Sequence, residues 1–134
     1  MIALLLFVAV PGALNQAVTQ DTISTTICVK GWTATVRPSK YYTEALKYKL
    51  VRATHGKVSD YELDHAVPLE LGGAASDPRN LWLEPHAGKW GSLKKDRLEN
   101  KLKALVCKGT ITLDEGRKEI WAHWVAAYKL RIGQ

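Results

Sequence analysis

The stretch that most limits how this chain can fold runs from Tyr61 to Pro85, YELDHAVPLELGGAASDPRNLWLEP. Leu63, Val67 and Leu69 give a patchy period-two pattern through Asp64-His65. Proline cannot donate to a ladder, so Pro68 marks an edge or the end of that strand. Leu71-Gly72-Gly73 to Asp77-Pro78 carries loop signals throughout. Leu81 and Leu83 then alternate with Asn80, Trp82 and Glu84, which reads as a short half-buried strand ending at Pro85. Two short strands around a glycine loop bring an acid, a histidine and an amide to one end of a hairpin.

The flanks are read by the same rules. Asp21 to Val36 is rich in β-branched residues and predicts extended chain, interrupted at Gly31 and closed by Arg37-Pro38. Ser39 is placed to cap a short basic helix over Tyr42 to Arg52, with Leu46, Leu50 and Val51 on one side. Ser92 opens a helix to about Cys107, striped by Leu98, Leu102, Leu105 and Val106 and stopped by Gly109. Thr112-Leu113-Asp114-Glu115 is a capping box. It opens a last helix to about Arg131, burying Ile120, Trp124, Ala127 and Tyr128. With 134 residues and 46% hydrophobic content, the pattern predicts one α+β domain.

Residues 2–10, IALLLFVAV, form an apolar run ended by Pro11-Gly12. It is too short to span a bilayer, which takes about 20 residues, and has the length of a signal-peptide core. The expectation is a leader over 1–19, cleaved between Gly12 and Thr19, followed by a domain over 20–134. No Lys or Arg precedes the run, and an apolar first helix or strand is the alternative. The reading gives a secreted or periplasmic monomer with no stable membrane association after leader removal. Export permits a disulfide, and Cys28 and Cys107 offer the only intramolecular pair. Closing so long a loop stabilises by roughly 4 kcal/mol in the chain-entropy model. Neither cysteine belongs to a zinc-binding spacing.

The formal net charge of +6 suits a polyanionic partner, nucleic acid above all. Phosphodiester hydrolysis needs a base for water and a cation for the developing charge. Histidine is the natural base near neutral pH, and carboxylate oxygen the natural holder of Mg²⁺-like ions. Asp64-His65 supplies one of each. Neighbours on a strand point to opposite faces, so both reach one site only where the strand bends or ends. Asn80 is positioned to hydrogen-bond His65 or its backbone.

The pattern DHAVPLELGG followed by NLWLEP resembles the HNH endonuclease family, over roughly residues 61–107. The resemblance implies a ββα-metal core, a hairpin plus helix with flanking helices. It implies Asp64 as ligand to one divalent ion, His65 as general base and Asn80 as orienting residue. The metal is expected to be Mg²⁺ or Mn²⁺, with Zn²⁺ or Ni²⁺ as alternatives, and the substrate DNA in preference to RNA. A non-catalytic nucleic-acid-binding module on the same scaffold is the alternative. The family's usual helix histidine or asparagine is missing here. Asp96 is the first substitute ligand, His86 the second, and Glu99 or Asn100 the third. Lys89, Lys94, Lys95 and Arg97 are expected to meet phosphates, although Lys95 also shares a side with Leu98 and Leu102. His55 and His123 are read as structural, with His123 packing inside a Trp-rich helix. Glu70 and Glu84 are read as solvated or capping. Among the tryptophans, Trp90 is the first candidate for stacking on a base.

Overall fold

A computed structural model describes residues 13–133 of the chain. The expected leader core at 2–10 lies outside the described residues. Packing reaches back to Ala13, ahead of the expected domain start at 20. Ala13 and Val18 are buried, Leu14 bridges Gly73, and the Asn15 amide donates to the Gly72 carbonyl at 2.9 Å.

The element order is mixed: helix α1 (Trp32–Val36), α2 (Lys40–Val51), strand β1 (Tyr61–His65), β2 (Leu81–Pro85), then α3 (Ser92–Cys107), α4 (Leu113–Ala122) and α5 (Trp124–Arg131). β1 and β2 pair antiparallel, with Asp64 opposite Trp82 and His65 opposite Leu81. The domain is therefore α+β, with a two-stranded sheet. The local signals that define it behave as chemistry requires. Ser39 Oγ accepts from the Tyr42 amide and starts α2. Thr112 and Glu115 exchange side-chain and backbone bonds and start α4.

Two expectations are corrected. Asp21 to Val36 is not extended. It forms a 3₁₀ turn over Gln20–Thr25 and then α1, entered through Gly31 at φ +81°. Its threonines bond to the backbone instead of lining a strand: Thr26 Oγ1 donates to the Thr22 carbonyl at 2.7 Å, and Thr35 Oγ1 to the Trp32 carbonyl at 2.6 Å. Such local bonds compete with sheet pairing. The last helix is not continuous either. It breaks at His123, whose φ of −145° and ψ of 41° are non-helical. His123 is exposed at that corner rather than packed.

One core unites the elements. Val67 and Leu71 from the central loop meet Leu98, Leu102 and Val106 of α3, Ile120 of α4, and Ala127 and Tyr128 of α5. Cys28 and Cys107 are bonded, with Cα atoms 5.7 Å apart, and tie the N-terminal segment to the end of α3. This pairing fits an oxidising environment. Among the described residues no helix is long and apolar enough to cross a membrane.

Candidate functional site

The site begins with the loop between the strands. Gly72 adopts φ +77°, the left-handed region that glycine enters freely. A Cβ on Gly73 would collide with the Val67 carbonyl oxygen and lie 2.7 Å from Asn80 Nδ2. The chain passes itself too closely there for any larger residue. Asn80, fully buried, clips this crossing. Its Oδ1 accepts from the Val67 amide at 2.8 Å, and its Nδ2 donates to the carbonyls of Val67 and Ala74 at 3.0 and 2.9 Å. Arg117, also buried, donates from Nε to the Leu71 carbonyl at 2.7 Å and from Nη2 to that of Val18 at 3.1 Å.

This clip sets the histidine. His65 Nε2 lies 2.9 Å from the Ala75 carbonyl oxygen, next to the carbonyl that Asn80 holds. A carbonyl only accepts, so Nε2 carries the proton and Nδ1 keeps its lone pair. Burial lowers the His65 pKa below its ordinary value of 6.5, outweighing the opposing pulls of the Ala75 hydrogen bond and Asp64. The ring is neutral near pH 7, in the tautomer a proton acceptor needs. Asn80 makes no hydrogen bond to the His65 ring, so the orienting part expected of it can act only through the loop. Its amide shapes the loop that presents the Ala75 carbonyl, so it is a positioning residue.

Beyond the hairpin, α3 supplies an acid wall. Asp64, Asp96 and Glu99 each present a ligand atom within 4.8 Å of the others. Asp96 and Glu99 are three residues apart and share a helix face. Lys95 reaches across from the same helix, almost fully buried, with Nζ 3.0 Å from Asp64 Oδ2 and 2.7 Å from Glu99 Oε1. Burial works against ionising Asp64. The charge of Lys95, with hydrogen bonds from Glu84, Lys95 and the His65 amide, wins and lowers its pKa. Burial also works against the Lys95 ammonium, but Glu99 and Asp64 hold it firmly charged. Burial pushes Glu84 up to about 8, helped by its hydrogen bond to Asp64. Among the described residues neither Glu84 oxygen has a conventional donor, which is the pattern of a protonated carboxyl sharing its proton with Asp64. Glu99 is likewise raised to about 8, first by burial. Asp96 is raised by burial and by the charges of Glu62 and Asp64.

His65 and Asp64 open onto the same cleft of about 320 Å³, together with Arg37, Glu62, Asp96 and Glu99. β1 ends at His65, so its last two side chains can both reach the opening. The donors suit a hard divalent cation: they are all carboxylates, they outnumber the single lysine among them, and Asp64 and Glu99 each keep one oxygen free of Lys95.

Several expected residues lie elsewhere. His86 is not part of the acid group. It is exposed, with Nδ1 3.3 Å from Ser92 Oγ, whereas Glu99, the third-ranked candidate, is one of the three converging acids. Lys95 is buried in ion pairs and cannot meet a phosphate. Lys94 lies 4.5 Å over the Trp90 ring, with Lys89 5.8 Å from it, and Arg97 Nη1 donates to the Tyr128 hydroxyl at 2.8 Å. Trp90 packs edge-on to Trp124 and Tyr128 beside the core and is not a free stacking surface. The cations that share a cleft with Asp64 and His65 are Arg37, just before α2, and Lys40 and Lys47 on α2. Taken singly, the lysines of this basic helix read as solvated. Their spacing is the signal that could have found them: Lys40 and Lys47 are seven residues apart on one face. Glu84 was also missed, although its two-residue offset from Trp82 puts it on the Asp64 face.

Comparisons of the chain with protein-family models, with curated proteins and with solved structures find no match.

Proposed function

We propose that this protein is a metal-dependent endonuclease of the ββα-metal type, hydrolysing phosphodiester bonds of nucleic acid, with DNA the first substrate to test. One observation carries the reading. A neutral histidine with a lone pair on Nδ1 opens onto the same cleft as three converging carboxylates. In the hydrolytic step, His65 Nδ1 takes the proton from the attacking water. The Ala75 carbonyl holds the ring from behind and stabilises the imidazolium that forms. Asp64, Asp96 and Glu99 would hold a divalent ion, Mg²⁺ or Mn²⁺, which when bound neutralises charge on the phosphoryl group. The all-carboxylate donor set favours these over Zn²⁺ or Ni²⁺. Arg37, Lys40 and Lys47 seat the phosphate backbone beside the base with little sequence preference. The disulfide supports action outside the reducing cytosol, as a secreted or periplasmic protein.

The test is plasmid nicking in Mg²⁺ or Mn²⁺. His65→Ala should lose activity by at least about 100-fold, the scale of a general base, while its thermal melt stays close to wild type. Undiminished nicking by this variant would remove the mechanism. A second reading draws on Lys95, which already forms ion pairs with two of the three acids. On that reading the chain binds nucleic acid without cutting it. Tight DNA binding at low salt with no metal-stimulated cleavage would favour it.

A further inference from the structure

The break at His123 has built a second pocket on the Asp64 side of the hairpin. Trp121 from α4 and Trp124 from α5 stand on either side of the corner. With Trp82 of β2, Ile120, Ala66 and Arg79 they line a space of about 320 Å³. Three indoles line this one space. Trp82 is 38% exposed, although it is a large apolar side chain on a strand. Trp121 Nε1 is buried with no acceptor among the described residues. An indole donor left unpaired in the interior is uncommon and costs stability, and the edges of a nucleobase carry the acceptors it lacks. Arg79 stands at the rim with 71% of its side chain exposed.

The pocket adjoins the candidate site through Lys95, which lines it and whose Nζ lies 3.0 Å from Asp64 Oδ2. Ala66 follows His65 directly, and Trp82 sits opposite Asp64 in the strand register. We propose that this pocket takes one unstacked nucleobase from a single-stranded stretch of the substrate, held between tryptophan faces beside the scissile phosphate. The inference rests on the nuclease reading and specifies its substrate. Aromatic stacking accepts any base, so it selects strandedness and not sequence. A base locked in a duplex cannot enter. The net charge of +6 and the cations of α2 draw in the backbone, and the indoles then hold the base.

The experiment compares cleavage of one oligonucleotide, single-stranded and as a duplex, in Mn²⁺ by wild type, Trp82→Ala and Trp82→Phe. Trp82→Ala should raise KM for the single strand by roughly 10- to 100-fold with little change in kcat, and Trp82→Phe should recover most of it. The duplex KM should move far less. An unchanged single-strand KM overturns the base pocket and leaves the nuclease reading standing. A companion measurement on the wild-type protein needs no variant. In metal-free buffer, tryptophan fluorescence should be quenched by the single strand and much less by an abasic strand of equal length. Equal quenching by both overturns the pocket. A wild type that neither binds nor cuts any nucleic acid overturns pocket and nuclease reading together.

Discussion

The two walls of the candidate site are built on opposite principles. On the loop wall every key polar group is satisfied: Asn80 makes three hydrogen bonds, Arg117 two, and Gly73 lets the chain cross itself. On the helix wall too many acids crowd one lysine, and Glu84 keeps its proton to coexist with Asp64. The first wall fixes the direction of a neutral base. The second gathers acidic groups around one ammonium, a crowding that a bound divalent ion would relieve. A purely structural site would settle both walls. Only the loop wall is settled, and this asymmetry supports a working site.

The comparison breaks most sharply at Lys95. Lys95→Met removes the one cation buried among the acids. Stripping one partner from a buried ion pair typically costs about 3–5 kcal/mol. In EDTA, urea unfolding should report a loss of that size. Adding Mn²⁺ should restore more stability to the variant than to wild type, because the ion takes over neutralising Asp64 and Glu99. If Mn²⁺ raises both melting temperatures equally, the helix wall does not hold the ion.

The loop wall gives the next largest effect. Asn80→Ala leaves the Val67 amide and the Val67 and Ala74 carbonyls without partners inside the protein. Each orphaned buried group costs about 1–3 kcal/mol, and relaxation of the loop keeps the total near 2–4 kcal/mol. Nicking should fall further than the stability loss explains, since the carbonyl that orients His65 shifts with the loop. A variant with wild-type unfolding midpoint and wild-type nicking would show that the clip positions nothing.

The two walls also differ in how well the sequence foretells them. Strand ends, the glycine loop and the caps at Ser39 and Thr112 are local events, decided by residues within four positions of each other, and they are legible. So is the pairing of Asp64 with His65. The helix wall depends on which turn of α3 faces the hairpin, and that is set by core packing of Leu98 and Leu102. Asp96 is legible because it lies near the start of that helix, four residues after Ser92. Glu99 sits one turn further along the same helix, and nothing local in the sequence separates it from the solvated charges around it. The stretch from Asp21 to Val36 departs from its pattern for another reason. β-branched residues favour strands only where a partner strand exists. Here threonine hydroxyls close turns on their own backbone, and Cys28 is pinned to α3 instead.

The smallest effect tests the proton that lets the helix wall exist. Gln at position 84 keeps a donor toward Asp64 but cannot ionise. Glu84 has a folded-state pKa near 8, above its ordinary value of 4.5. The stability it contributes is therefore fully present below pH 4.5 and is lost as pH rises from there through 8. In metal-free buffer at pH 6, Glu84→Gln and wild type should differ by less than about 1 kcal/mol, since a neutral carboxyl and an amide make similar bonds. As pH climbs toward 9 the wild type should weaken against the variant, which carries no proton to lose. Parallel stability curves across that window would mean that Glu84 is already ionised at pH 6. Asp64 would then have to share the face with a second negative charge, and the contrast between a settled loop and an overcharged helix wall would need a different source.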